Sequence, residues 1–174
     1  MPGIPPEYHW TFHTKLELAA AQLHWLKVWT ASSFDAWVAI VDGAYAKRPF
    51  LRPAKKDGIQ VNSRLRKDAA LFGVPSGVRR PGQPGPLPTY GKERISLAKR
   101  AGQQRGWQEV ECEQYGEKVT KTIKTFLATW HPAGGLIRVV IVQEEDGWIP
   151  LFSTNPNATV KEILEGAADR NAHE

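Results

Sequence analysis

Asp42 and Glu174 are the residues of this chain whose type and setting could hold divalent metal ions, and Arg170 could steady a phosphate beside them. Asp42 closes a short apolar run, Trp37-Val38-Ala39-Ile40-Val41, and is followed by Gly43 and Tyr45. Arg170 and Glu174 stand four apart in RNAHE, a spacing that puts two side chains on one helix face. Cutting and joining phosphodiesters needs an activated water or hydroxyl and relief of charge on the leaving oxygen. Two divalent ions about 3.5–4 Å apart do both. Mg²⁺ keeps most of its waters, so three carboxylates suffice to hold such a pair. A strand-end aspartate and a helix glutamate supply two of them, and none of residues 1–13 is an aspartate that could be the third. Two ordinary readings compete. DGAY is a common kind of turn, and Arg170 with Glu174 is a common solvated ion pair.

Other candidate chemistries are weaker. Ser63 and Ser96 have no His/Asp constellation around them in sequence. Gly134-Gly135 reads as a turn, since no GK[ST] follows it. Cys112 lies between Glu111 and Glu113, a setting that disfavours a thiolate. His131 precedes a proline turn and reads as structural. Trp107 and Trp130 adjoin basic stretches and could stack on bases, although core positions are the commoner fate of tryptophan.

The elements that must carry these residues can be read in order. Residues 1–13 form an irregular arm. A helix spans 14–29, with Thr14 and Glu17 as a capping box and Leu16, Ala19, Ala20, Leu23 and Leu26 or Lys27 on one face. Residues 37–41 form a short apolar strand of the kind buried on both faces. A helix over 48–56 ends at Gly58, and a second strand covers 59–63, making a βαβ unit. Gly73–Pro88 holds too much Gly and Pro for regular structure. From Gln108 the pattern turns to β, with PAGG and EEDG as turns. Pro150 marks the last strand as an edge. A helix over 159–173 carries Arg170, capped by Thr159 and Glu162, with Ile163, Leu164 and Ala167 inward.

The 174 residues suit one domain, and 41% hydrophobic residues with 24% charged can build a core. No apolar run approaches the roughly 20 residues of a membrane span, and the N-terminus lacks a secretory pattern. One cysteine excludes an internal disulfide and fits a reducing compartment. Residues 43–130 hold 18 Lys/Arg against 7 Asp/Glu, a net +11, while the rest of the chain carries −6. A basic middle between acidic ends points to a polyanion-binding surface beside a carboxylate site.

Five blocks, VDGAYAKRPFL, SRLRKDAALF, YGKERISLAKRAGQQRGWQEVECEQYG, KTFLATWHPAGGLIRVVIV and ADRNAHE, occur in an order that resembles insertion-sequence transposases of the DDE type. The resemblance is to the group with a Tyr-(2)-Arg-(3)-Glu-(6)-Lys signature and a β-rich insertion, and it covers roughly residues 11–174. It implies an α+β fold: a partial ribonuclease H-like core (βαβ plus C-terminal helix) over 14–64 and 156–174, with a β-rich subdomain inserted at 65–155. It further implies two Mg²⁺ ions, double-stranded DNA of transposon ends as partner, no membrane, and a bacterial cytoplasm. Asp42 matches the second catalytic aspartate, Glu174 the catalytic glutamate and Arg170 the signature arginine. Lys47, Arg48, Arg64, Arg66 and Lys67 are the DNA-contact candidates. The signature tyrosine position is Ala167, the signature lysine would fall seven residues beyond Glu174, and the first catalytic aspartate has no counterpart. The expectation is a transposase piece, inactive alone, open at one sheet edge and prone to pair with itself or with a full-length enzyme. The alternatives are a non-catalytic DNA-binding or regulatory remnant, or a pseudogene product.

Overall fold

A computed structural model describes residues 11–77, 82 and 85–171. Helix α1 (Lys15–Trp29) starts as the capping pattern requires. The Thr14 hydroxyl accepts the Glu17 N–H at 3.4 Å, and the Glu17 carboxylate accepts the Thr14 N–H at 2.8 Å. Its inner face is Leu16, Ala19, Ala20 and Leu23. The fifth position goes to Lys27, whose Nζ donates to the Asp57 carbonyl, while Leu26 stays exposed.

Strand β1 (Val38–Val41), helix α2 (Arg48–Lys56) and strand β2 (Gln60–Arg64) form the expected βαβ unit, with Val38 opposite Gln60 in a parallel pair. Gly58 ends α2 at φ +69, where a side chain would be strained. The β-rich remainder joins the same sheet. Strands β3 (Leu71–Phe72), β4 (Arg94–Ile95), β5 (Gln108–Gln114), β6 (Glu117–Trp130), β7 (Gly135–Glu144) and β8 (Gly147–Ser153) give the order β1-β2-β8-β7-β6-β3-β4, with β5 also on β6. The sheet is therefore mixed, parallel at β1–β2 and antiparallel elsewhere. Helix α3 (Leu97–Gly102) follows β4, and α4 (Val160–Asn171) follows β8.

Helices cover both faces. On one, Phe50 and Leu51 of α2 and Ala20 of α1 meet Val61, Ile137, Val139, Ile141 and Phe152. On the other, Ile163 and Leu164 of α4 meet Ile123, Val140 and Val142. The unbroken apolar run of β7 follows: its odd and even residues face different cores, which antiparallel strands rarely need. The overall class is α+β.

Two expectations fail. The apolar run at 37–41 is not buried on both faces: Val38 is 51% and Ile40 36% exposed, because β1 ends the sheet among the described residues. Pro150 does not mark an edge either, since β8 lies between β2 and β7. Its carbonyl accepts the Leu65 N–H at 2.8 Å, so its missing donor points to the same side, where the ladder with β2 stops at the Arg64–Leu151 pair. Only the reciprocal bond to the Leu65 carbonyl is lost, at the end of the ladder, where a proline costs least. No helix among the described residues is long and apolar enough to cross a membrane.

Candidate functional site

Asp42 sits one residue past β1. Its Oδ1 accepts the Ala44 N–H at 2.7 Å and so opens a 3₁₀ turn, Gly43–Tyr45. The turn lies close on β2, since a Cβ at Gly43 would stand 3.1 Å from the Arg64 carbonyl oxygen. Tyr45 anchors the turn edge-on against Phe50 at 5.6 Å. The DGAY reading as a turn is thus met, and it leaves the other carboxylate oxygen of Asp42 free to face α4.

Helix α4 begins with the second capping box: Glu162 accepts the Thr159 N–H at 2.7 Å, and Thr159 Oγ1 accepts the Glu162 N–H at 3.2 Å. Gly166 lets the helix settle on β1, because a Cβ there would stand 2.8 Å from Ile40 Cδ1. One turn on, Arg170 Nη2 donates to Asp42 Oδ2 at 3.0 Å. The partners are 128 residues apart in sequence, with side chains 27% and 52% exposed. Both oxygens of Asp42 are then engaged by donors.

Beside this pair a cavity of about 380 Å³ runs under α4. Its apolar walls include Ile149 and Leu151 of β8 and Ile163 and Leu164 of α4. Its polar rim carries Arg64, Asn62, Arg170 and the Lys121–Glu144 ion pair at 3.1 Å. Ala167, the signature tyrosine position of the resemblance, also lines it. Sequence reading missed Asn62, Gly166 and the Lys121–Glu144 pair. Only the alternation of β2 could have placed Asn62 and Arg64 on one face.

The basic candidates divide. Lys47 and Arg48 are exposed at the start of α2, next to the Asp42 turn but outside the cavity lining. Arg64 reaches the cavity. Arg66 is neutralised by Asp68, with two contacts at 3.0 Å. Asp68 is correspondingly held below its ordinary pKa, chiefly by that hydrogen bond. Lys67 lies over the Trp148 ring at 4.9 Å, in a shallow groove it shares with Arg64, Glu144, Glu145 and Asp146. The acidic turn after β7 therefore offsets part of the positive charge there.

Glu174 lies outside the described residues, as do 172 and 173. No group of three His, Cys, Asp or Glu side chains able to hold a metal occurs among the described residues. With one carboxylate already matched by Ala44 and Arg170, this donor set does not fit a two-ion site.

The remaining sequence candidates take structural places. Trp130 is buried and packs edge-on against Phe152 at 5.2 Å. Trp107 carries the Lys124 ammonium 4.6 Å from its ring centre. That Nζ donates to the carbonyls of Arg100 and Gln103 at the end of α3, and burial, then Arg100, lowers its pKa. Burial first, and then Glu165, raises the Cys112 thiol, in keeping with an inert sulfur. His131 stacks on Tyr90 at 3.9 Å while its carbonyl accepts from Arg52. Ser96 caps α3, accepting the Lys99 N–H at 3.3 Å. The buried Ser63 hydroxyl has no partner among the described residues, and strand alternation sends it to the sheet face away from α4.

No family model matches this chain, and no curated protein matches it.

Proposed function

We propose that this chain is the DNA-binding portion of a DDE-type transposase, with Asp42 and Arg170 in its strand-transfer site. The observation that carries the reading is the Asp42–Arg170 contact at 3.0 Å. Sequence resemblance singles out these two residues, 128 apart in the chain, and an arginine placed beside a strand-end carboxylate is within reach of a phosphate bound there. The net +11 of residues 43–130 supports a nucleic-acid partner. Arg170 would meet a phosphate as a planar fork, with Lys47, Arg48 and Arg64 flanking it. No catalytic step is assigned to the described residues, because they lack the carboxylates that a metal pair requires.

The test is duplex-DNA binding followed by fluorescence anisotropy between about 50 and 200 mM salt, a range over which several phosphate contacts together cost orders of magnitude in affinity. Binding should fall steeply with salt, and Arg170→Ala should reduce the log–log slope by roughly 0.9, the worth of one phosphate contact. Binding indifferent to salt, or to Arg170→Ala, would sink the reading.

A second reading, a non-catalytic binder that occupies DNA ends, is favoured by the engagement of both Asp42 carboxylate oxygens, by the Ala44 N–H and by Arg170. Duplex cleavage that appears with Mg²⁺ and vanishes in Asp42→Ala would exclude it. Binding that survives Asp42→Ala with no cleavage would favour it.

A further inference from the structure

Two donors at the cavity under α4, on Asn62 and Arg64, have no partner among the described residues. Its carboxylates are matched: Glu144 by Lys121 at 3.1 Å, and Asp42, just beyond the rim, by Arg170 at 3.0 Å. The Arg64 guanidinium has no hydrogen-bond or ion-pair partner among the described residues. Neither has the amide nitrogen of Asn62, a residue only 3% exposed.

The orientation of that amide follows from a relay. Asn155 Nδ2 donates to Gln60 Oε1 at 2.9 Å, and Gln60 Nε2 donates to Asn62 Oδ1 at 3.1 Å. Asn62 Nδ2 is left facing α4, 4.0 Å from where a Cβ on Gly166 would stand. The amide nitrogen opens on the cavity, where a ligand oxygen would give it an acceptor. Asn62 and Arg64 are two apart on β2, hence on one face and roughly 7 Å from each other along the strand. One anionic group can reach both. Beyond them the walls are aliphatic, and 380 Å³ is the size of a small-molecule site.

We propose that this cavity binds a small organic anion, a flat apolar body bearing one carboxylate or phosphate monoester group. The anionic group sits between Arg64 and Asn62, and the body lies between Leu151 and Ile149 on one side and Ile163 and Leu164 on the other. The site does not depend on the DNA reading and is tested without DNA.

Benzoate and phenyl phosphate serve as probes, with benzyl alcohol as the uncharged control. Binding is read from the NMR signals of the Ala167 and Ala168 methyl groups, which line the cavity. Either anion should give saturable shifts at both methyls. Arg64→Gln, at an exposed position, should weaken binding roughly tenfold, as expected for loss of a charge-assisted hydrogen bond. Ala167→Leu should abolish binding by filling the space. Equal binding of benzyl alcohol, unchanged affinity in Arg64→Gln, or no saturation below roughly 10 mM would each overturn the proposal. So would shifts confined to Trp25 and Trp29 on α1, because the probe would then be on the exposed aromatic surface. Relative affinity of the two anions tells which head group the site prefers.

Discussion

Asp42 has two structural tasks at once, capping the 3₁₀ turn and holding Arg170. A half-exposed ion pair contributes little, roughly 0.2–1 kcal/mol, and a cap of this kind about 1 kcal/mol. Asp42→Ala should therefore lower unfolding stability by about 1–2 kcal/mol in urea titration. A loss far above this would mean that the carboxylate supports more of the fold than its two contacts. Glu17 gives a pH-dependent counterpart. Its carboxylate is held below the ordinary 4.5, first by the Thr14 backbone N–H and then by the Thr14 hydroxyl. The charged form is thus favoured in the folded chain, and its contribution is complete above 4.5 and disappears as pH falls through the depressed value. Amide exchange in the first turn of α1 should speed up as pH drops through that window, after correction for intrinsic rates. Glu17→Gln should remove the pH dependence, and an unchanged profile in that variant would show that the box is not its source.

At the scale of elements, the site exists because α4 lies close against β1, with Gly166 at the point of approach over Ile40. The atom that an added Cβ would meet first is Ile40 Cδ1, the flexible end of a partly exposed side chain. Gly166→Ala should therefore be near neutral, since Ile40 can swing aside and alanine gains up to about 1 kcal/mol of helix propensity. Gly166→Leu cannot be absorbed in this way. It should cost about 1–3 kcal/mol, as overpacking does, and separate Arg170 from Asp42. Thermal melting of the two variants checks the contrast. Equal melting temperatures would mean that α4 is not seated through this glycine.

For the whole molecule, two apolar surfaces lack cover among the described residues. Strand β1 has one strand neighbour, β2, and shows Val38 and Ile40 to solvent. On α1, Trp25 and Trp29 stack on each other at 5.7 Å and are 63% and 71% exposed. Open strand edges and apolar patches recruit other chains. Sedimentation should show an average mass that rises with concentration, and Ile40→Lys or Trp25→Glu should lower it. A monomer at every concentration would show that neither surface is sticky.

The sequence by itself determined what depends on neighbours within a few residues. Both capping boxes, the start and end of α2, the turn at DGAY and the β pattern after Gln108 could be read because caps, turn residues and periodicity act over one or two turns of chain. The short strands β3 and β4 carry too little pattern to be seen, and the β5–β6 turn uses Tyr115 at φ 56 where Asn is the usual signal. Only the tertiary structure decided which face and which neighbour each residue has. It set Lys27 rather than Leu26 inward, put Pro150 inside the sheet, paired Arg66 with Asp68, and turned Asn62 toward α4. It also closed 128 residues of chain to bring Arg170 onto Asp42. Such contacts depend on strand order, register and the closeness of a helix to a sheet, and no local spacing encodes these.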